Sequence, residues 1–188
     1  MILETLRVIQ YKLNSFLKQS FALTEDLVVL SNISTFDGGM QEEEKNKIIL
    51  TLVNIEEESF AKKPVMTTEV KSSPVFLNLD IMISASFENK NYNDALTLIS
   101  YVITFFQCNS VFDYHNIPKK LYHKNIDKII VGISNLSFSE LVNLWGMLGS
   151  KYIPSVLYKV RMVKIDGNQM VAEIPEITSL KPNTIKKQ

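Results

Sequence analysis

The sequence predicts an α+β fold: a single domain in which a mixed or antiparallel sheet of about five to six strands packs with three helices. Three observations carry this. Apolar residues at Leu6, Ile9, Leu13, Phe16 and Leu17 follow the 3.6-residue period of a helix. Between residues 75 and 87 every second position is apolar, the period of a strand. Ser137, Glu140 and Gly149 mark both ends of a further helix, with a capping box at its start and a glycine stop at its end. At 188 residues the chain is long enough for one sizeable core and short for two.

The first helix carries Arg7, Lys12, Asn14 and Lys18 on the face opposite its apolar stripe. Those cations are too few for a membrane-surface helix, so it is expected to pack on a sheet. Strands follow at 27–33, 47–55 and 75–87. In the third, Phe76, Asn78, Asp80, Met82, Ser84 and Ser86 form a mixed face expected to be free for a partner. Gly38-Gly39 lies between the first two strands, ahead of Glu42, Glu43 and Glu44, without the flanking pattern of a phosphate loop, so a solvated loop is expected. Residues 56–73, with Pro64, read as a second exposed loop.

Residues 91–107 form a helix with Asn93 or Asp94 as N-cap. It is apolar around most of its circumference, which calls for cover on more than one side, from a large sheet or a neighbouring subunit. An extended piece at 111–112, a polar loop at 116–124 with Pro118 and a strand at 126–133 lead to the capped helix, whose stripe is Leu141, Leu144, Trp145 and Leu148. Strands at 156–165 and 169–173 flank Asp166-Gly167, a hairpin signal. Residues 1–173 make the domain; 174–188, punctuated by proline and without periodicity, make an arm or a disordered tail.

Twenty basic residues balance twenty acidic ones, so no long-range field favours nucleic acid or anionic lipid. No apolar run is long enough to span a bilayer, and no secretory signal opens the chain; synthesis in a reducing cytoplasm is expected. Cys108, the single cysteine, ends an apolar run and reads as packed or incidental. His115 and His123 share one polar loop without a metal-binding or triad pattern, and Glu56, Glu57 and Glu58, on a strand, alternate faces and cannot converge on an ion. Tyr152 and Tyr158 with Arg161 could stack a base, but no basic groove supports this. No catalytic residue, metal ligand or cofactor site is expected.

Several stretches carry a resemblance: VVLSNIS in the first strand, IILTLVNIEEE from Ile48, PVFLNLDIMISASF from Pro74, LISYVITFFQ from Leu98, NLWG from Asn143 and YIPSVLYKV from Tyr152. Together they resemble the N-terminal domain of the cap, or tail-terminator, proteins of extracellular contractile injection systems, the phage-tail-like particles of the antifeeding-prophage and virulence-cassette type. The resemblance implies a phage tail-terminator-like fold and a structural role: a six-fold ring on the distal end of the inner tube that stops tube growth and anchors the last sheath layer. The implied partners are copies of the chain itself, the inner tube protein and the sheath protein. No active site or cofactor goes with the role, and neither nucleic acid nor membrane is a partner. The implied setting is a particle assembled in a bacterial cytoplasm, then released or anchored at the cell. Longer members continue past this domain, so the short tail reads as a minimal terminator or one of several paralogous caps. Interface candidates are Trp145, Tyr152, Tyr158, Val160 and Arg161, around the junction and the strand after it, and Ile174 and Ile177 in the arm. A baseplate or tube-initiation component of the same particle is the alternative. A rival of another class is a small ligand-binding or enzymatic domain using loop 113–125, with Tyr114, His115 and His123.

Overall fold

The computed structural model describes residues 1–33, 45–58, 75–87, 91–122 and 128–165. In chain order the elements are α1 (Ile2–Phe21), β1 (Val28–Leu30), β2 (Lys47–Glu57), β3 (Val75–Ser86), α2 (Tyr92–Cys108), β4 (Val111–Asp113), β5 (Lys128–Ile133), α3 (Phe138–Met147) and β6 (Ser155–Ile165). Among the described residues the strands form one sheet of order β1-β2-β3-β6-β5-β4, parallel between β1 and β2 and antiparallel elsewhere. This is the α+β fold that the periodicities predict.

Helices α1 and α2 cover one face of the sheet. Their Leu6, Ile9, Leu13, Ala95, Val102 and Phe105 pack against Ile48, Leu50, Leu79, Ile81 and Ile83 of β2 and β3. Full burial of each such aliphatic side chain contributes roughly 1.5–3 kcal/mol. Ala22, in the left-handed conformation, ends α1 with its N–H on the Lys18 carbonyl. Tyr158 of β6 joins this core with its ring 4.4 Å from Phe106.

The second face of the sheet is covered as well. Register pairs Thr51 with Met82 and Met82 with Leu157, and Trp145 of α3 packs there against Met82, Ile49 and Ile33. The mixed face of β3, expected to be free, is therefore closed within the chain: from Asn78 to Ser86 every residue of β3 is buried. α3 can do this because its stripe of Leu141, Leu144, Trp145 and Leu148 supplies a second apolar surface.

Four further expectations change. α2 starts from Asn91, not Asn93 or Asp94. It is buried along one face only, at Ala95, Leu98, Val102, Phe105 and Phe106, with Leu96 and Tyr101 outside. β6 lies between β3 and β5, and its Tyr158, Lys159 and Val160 are paired on both sides, so they are not edge residues. Asn14, placed on the polar face of α1 by its chemistry, is 5% exposed and points into the fold. Of the two readings of Cys108, packed or incidental, its exposure at the end of α2 leaves the second. The Gly38-Gly39 loop with its glutamates, residues 59–73 of the second loop, His123, the Asp166-Gly167 hairpin with strand 169–173, and the arm with Ile174 and Ile177 lie outside the described residues.

Candidate functional site

A protein that assembles must control its sheet edges, because an unpaired strand presents N–H and C=O groups to any other chain. Both terminal strands are covered over part of their outer edge, each by an asparagine side chain acting as a surrogate strand. On β1, the bonds Ile48 N to Leu27 O and Ser31 N to Leu50 O run to β2, which leaves Val28 facing outward. The Asn14 Oδ1 accepts from Leu27 N at 2.9 Å and Val28 N at 2.8 Å, and its Nδ2 donates to Val28 O at 2.9 Å. Gln10 Nε2 donates to the same carbonyl at 3.0 Å.

On β4, Val131 N donates to Ser110 O, so Val111 and Asp113 face away from β5. Asn116, in the turn that follows, donates from Nδ2 to Val111 O at 2.8 Å and accepts at Oδ1 from Asp113 N at 3.1 Å. Asp113 O accepts from Asn116 N and Ile117 N. Lys12 Nζ fixes the turn to α1 through Asn116 O at 3.1 Å, and Lys120 stands 4.4 Å from the Tyr11 ring centroid. Neither edge strand presents its outward-facing groups at Val28, Val111 O and Asp113 free for strand addition.

The junction around α3 folds as its sequence dictates. Ser137 Oγ accepts from Glu140 N at 3.3 Å, and the Glu140 carboxylate accepts from Ser137 N at 2.7 Å and Ser137 Oγ at 2.6 Å. Those bonds hold the Glu140 carboxyl below its ordinary pKa. Gly149, at φ 65°, supplies the left-handed stop. Trp145 is buried with Tyr152 edge-on at 5.5 Å.

The junction candidates separate on this frame. Tyr152 and Arg161 are exposed, whereas Trp145, Tyr158 and Val160 are buried inside the protomer. Tyr158, Tyr152 and Arg161 are not brought together as a stacking site. Burial pushes the Tyr158 hydroxyl up to about 12. Beside it Lys159 Nζ sits 2.7 Å from Glu56 and 3.6 Å from Asp80, and Asn54 Nδ2 donates to both carboxylates, at 3.1 and 3.2 Å. The bond from Glu56 raises the Lys159 pKa first, with the Asp80 charge adding to it. The charge of Glu56 is thus balanced across the sheet by Lys159.

Other surfaces emerge that periodicity alone did not single out. Phe138, Val142 and Met147 of α3 are exposed, outside the stripe that covers the sheet. In loop 113–125 the Tyr114 ring stands 5.7 Å from His115 and 5.1 Å from Tyr122 by centroid, and Asn116 is committed to β4. Among the described residues no group of three or more His, Cys, Asp or Glu could hold a metal ion, and no helix is long and apolar enough to cross a membrane.

The family model of the Pvc16 N-terminal domain matches residues 4–179. Among solved structures, the chain is similar to the sheath/tube terminator of the PVC extracellular contractile injection system in its extended state, at TM-score 0.56 and 16% identity, covering 100% of this chain and 65% of that one. It is similar also to the tube-terminating cap of the anti-feeding prophage, at TM-score 0.55 and 16% identity, covering 96% of this chain and 60% of that one. The chain thus spans 65% and 60% of the lengths of these two solved relatives. No curated protein matches it. By the family match, which takes in nearly the whole chain, the protein belongs to the Pvc16 N-terminal domain family.

Proposed function

We propose that this protein is a tail terminator: a cap that ends the inner tube of a contractile injection particle and holds its last sheath layer. The observation that carries the reading is the family match over residues 4–179, joined by fold similarity to two terminating caps. The surface agrees with it. Closed strand edges prevent open-ended sheet growth, while exposed apolar side chains on α3 leave a surface for specific partners.

The role is structural and not enzymatic, and its partners are copies of the chain in a six-membered ring, the tube protein and the sheath protein. Its setting is an extracellular particle built in the bacterial cytoplasm. Residues 1–173 form the ring body, and 174–188, with Ile174 and Ile177, reach a neighbouring subunit or sheath. At the junction Tyr152, packed edge-on against Trp145, and Arg161 of β6 are the contact residues.

Deleting the chain from producing cells tests this. Particles of irregular tube length, or with sheath that contracts or detaches, are expected; particles of normal length with intact sheath overturn the reading.

A further inference from the structure

The outer face of α2 carries no charge over four turns. From residue 95 to residue 112 the sequence contains no Asp, Glu, Lys or Arg. On a helix that stays in water this face would be expected to carry charges. Instead it shows Leu96, 43% exposed, beside three hydroxyls that are already satisfied. Thr97 donates to Asn93 O, Ser100 to Leu96 O and Thr104 to Ser100 O, at 2.8–2.9 Å. With their donors satisfied inside the helix, covering these groups strands no donor and removes little hydration.

A matching surface lies on the opposite side of the sheet. Phe138 is 83% exposed and Val142 55% exposed, and with Gly146 they repeat at i, i+4 and i+8 along one flank of α3. Gly146 sits inside a helix, where glycine is the poorest choice after proline, yet a Cβ built on it meets nothing within 4 Å. Nothing among the described residues therefore requires a glycine there; close approach of another backbone would. The one carboxylate of α3, Glu140, is committed to its own cap. Uncharged cores rich in Phe, Tyr and Met are what buried interfaces select.

The ends of the two helices match in charge. Asp94 lies in the first turn of α2, and Lys151 is exposed just past the C-terminus of α3. Antiparallel packing sets the two beside each other and also opposes the helix dipoles.

We propose that the α3 flank of one protomer docks antiparallel on the outer face of α2 of a second copy, with Gly146 as the point of closest approach. Because α2 and α3 cover opposite faces of the sheet, each protomer donates one surface and accepts on the other. Such a head-to-tail contact closes into a ring when its rotation allows. The inference rests on the ring reading above and supplies its contact surfaces.

Two single variants and their mixture test it, with assembly state read by mass photometry and analytical ultracentrifugation. Leu96→Arg breaks the α2 face and Val142→Arg the α3 face; both positions are exposed, and melting temperatures close to that of the unaltered protein check that each variant folds. Each alone is expected to weaken self-association by about 100-fold or more and to run as a monomer. Mixed, they are expected to form a one-to-one heterodimer through the one contact still intact. Gly146→Ala is expected to raise the melting temperature by about 3 °C while weakening the ring, since helix propensity improves as close approach is lost. If the unaltered protein forms rings but either arginine variant does so too, or the mixture stays monomeric, this contact is wrong while the ring reading stands. An unaltered protein that remains monomeric at high concentration overturns both.

Discussion

The two outer strands of the sheet are closed by the same chemistry at different depths. Asn14 closes β1 from inside the fold, on the buried side of α1. Asn116 closes β4 from an exposed turn. Both amides act as a surrogate strand, accepting from an outward-facing N–H and donating to an outward-facing C=O. Depth sets the energetics. A backbone group stripped of its partner in the interior carries its full desolvation penalty, whereas one at the surface is rehydrated. Asn14 is therefore part of what makes the fold stable, and Asn116 part of what keeps it from binding indiscriminately.

The sharpest way to break this comparison is Asn14→Ala. It strands the Leu27 and Val28 N–H groups and leaves the Val28 carbonyl with Gln10 alone, at a cost of about 3 kcal/mol in urea unfolding. A loss below about 1 kcal/mol contradicts a structural role for the buried amide. Asn116→Ala is expected to cost only about 1 kcal/mol, because Val111 O and Asp113 N can turn to water. Its larger consequence is an opened β4 edge, seen as increased light scattering at high protein concentration. Unchanged scattering would mean that β4 is too short to recruit a strand and needs no guard.

The smallest effect belongs to Tyr158→Phe, which sharpens the same rule from the other side. Among the described residues the Tyr158 hydroxyl is buried without a hydrogen-bond partner, so removing it is expected to leave stability within about 1 kcal/mol or raise it. Its pH signature is specific. The folded state holds the phenolic proton up to about 12, above the ordinary value of 10.0, so raising the pH across that window favours the unfolded state, where the proton leaves more easily. This part of the stability is complete below pH 10 and is lost between 10 and 12. In Tyr158→Phe that alkaline loss should shrink; an unchanged alkaline profile contradicts the assignment.

Most of the fold is legible in the sequence, because local periodicity and caps decide it. The 3.6-residue stripe of α1, the alternation of β3 and the Ser137–Glu140 box each name an element that forms, with its glycine stop where expected. What stays hidden depends on pairing at long range. The mixed face of β3 reads as half polar, yet it is buried because a helix some sixty residues later along the chain lands on it. Asn14 reads as a surface residue because its chemistry is polar; only the position of β1 relative to α1 turns it into a strand partner. Tyr158 and Val160 read as interface candidates until the strand order puts them between two neighbouring strands. The exposed flank of α3 leaves the weakest trace, since Phe138 and Val142 sit among apolar residues that face inward. The breadth of the apolar surface on α2 was visible throughout, and it is this excess over what the protomer buries that points to a neighbour.

The most direct measurement of the central claim is imaging of intact particles that carry this protein with an electron-dense label. Label is expected at the end of the tube, distal to the baseplate, on every particle. Label at the baseplate, or spread along the sheath, contradicts it.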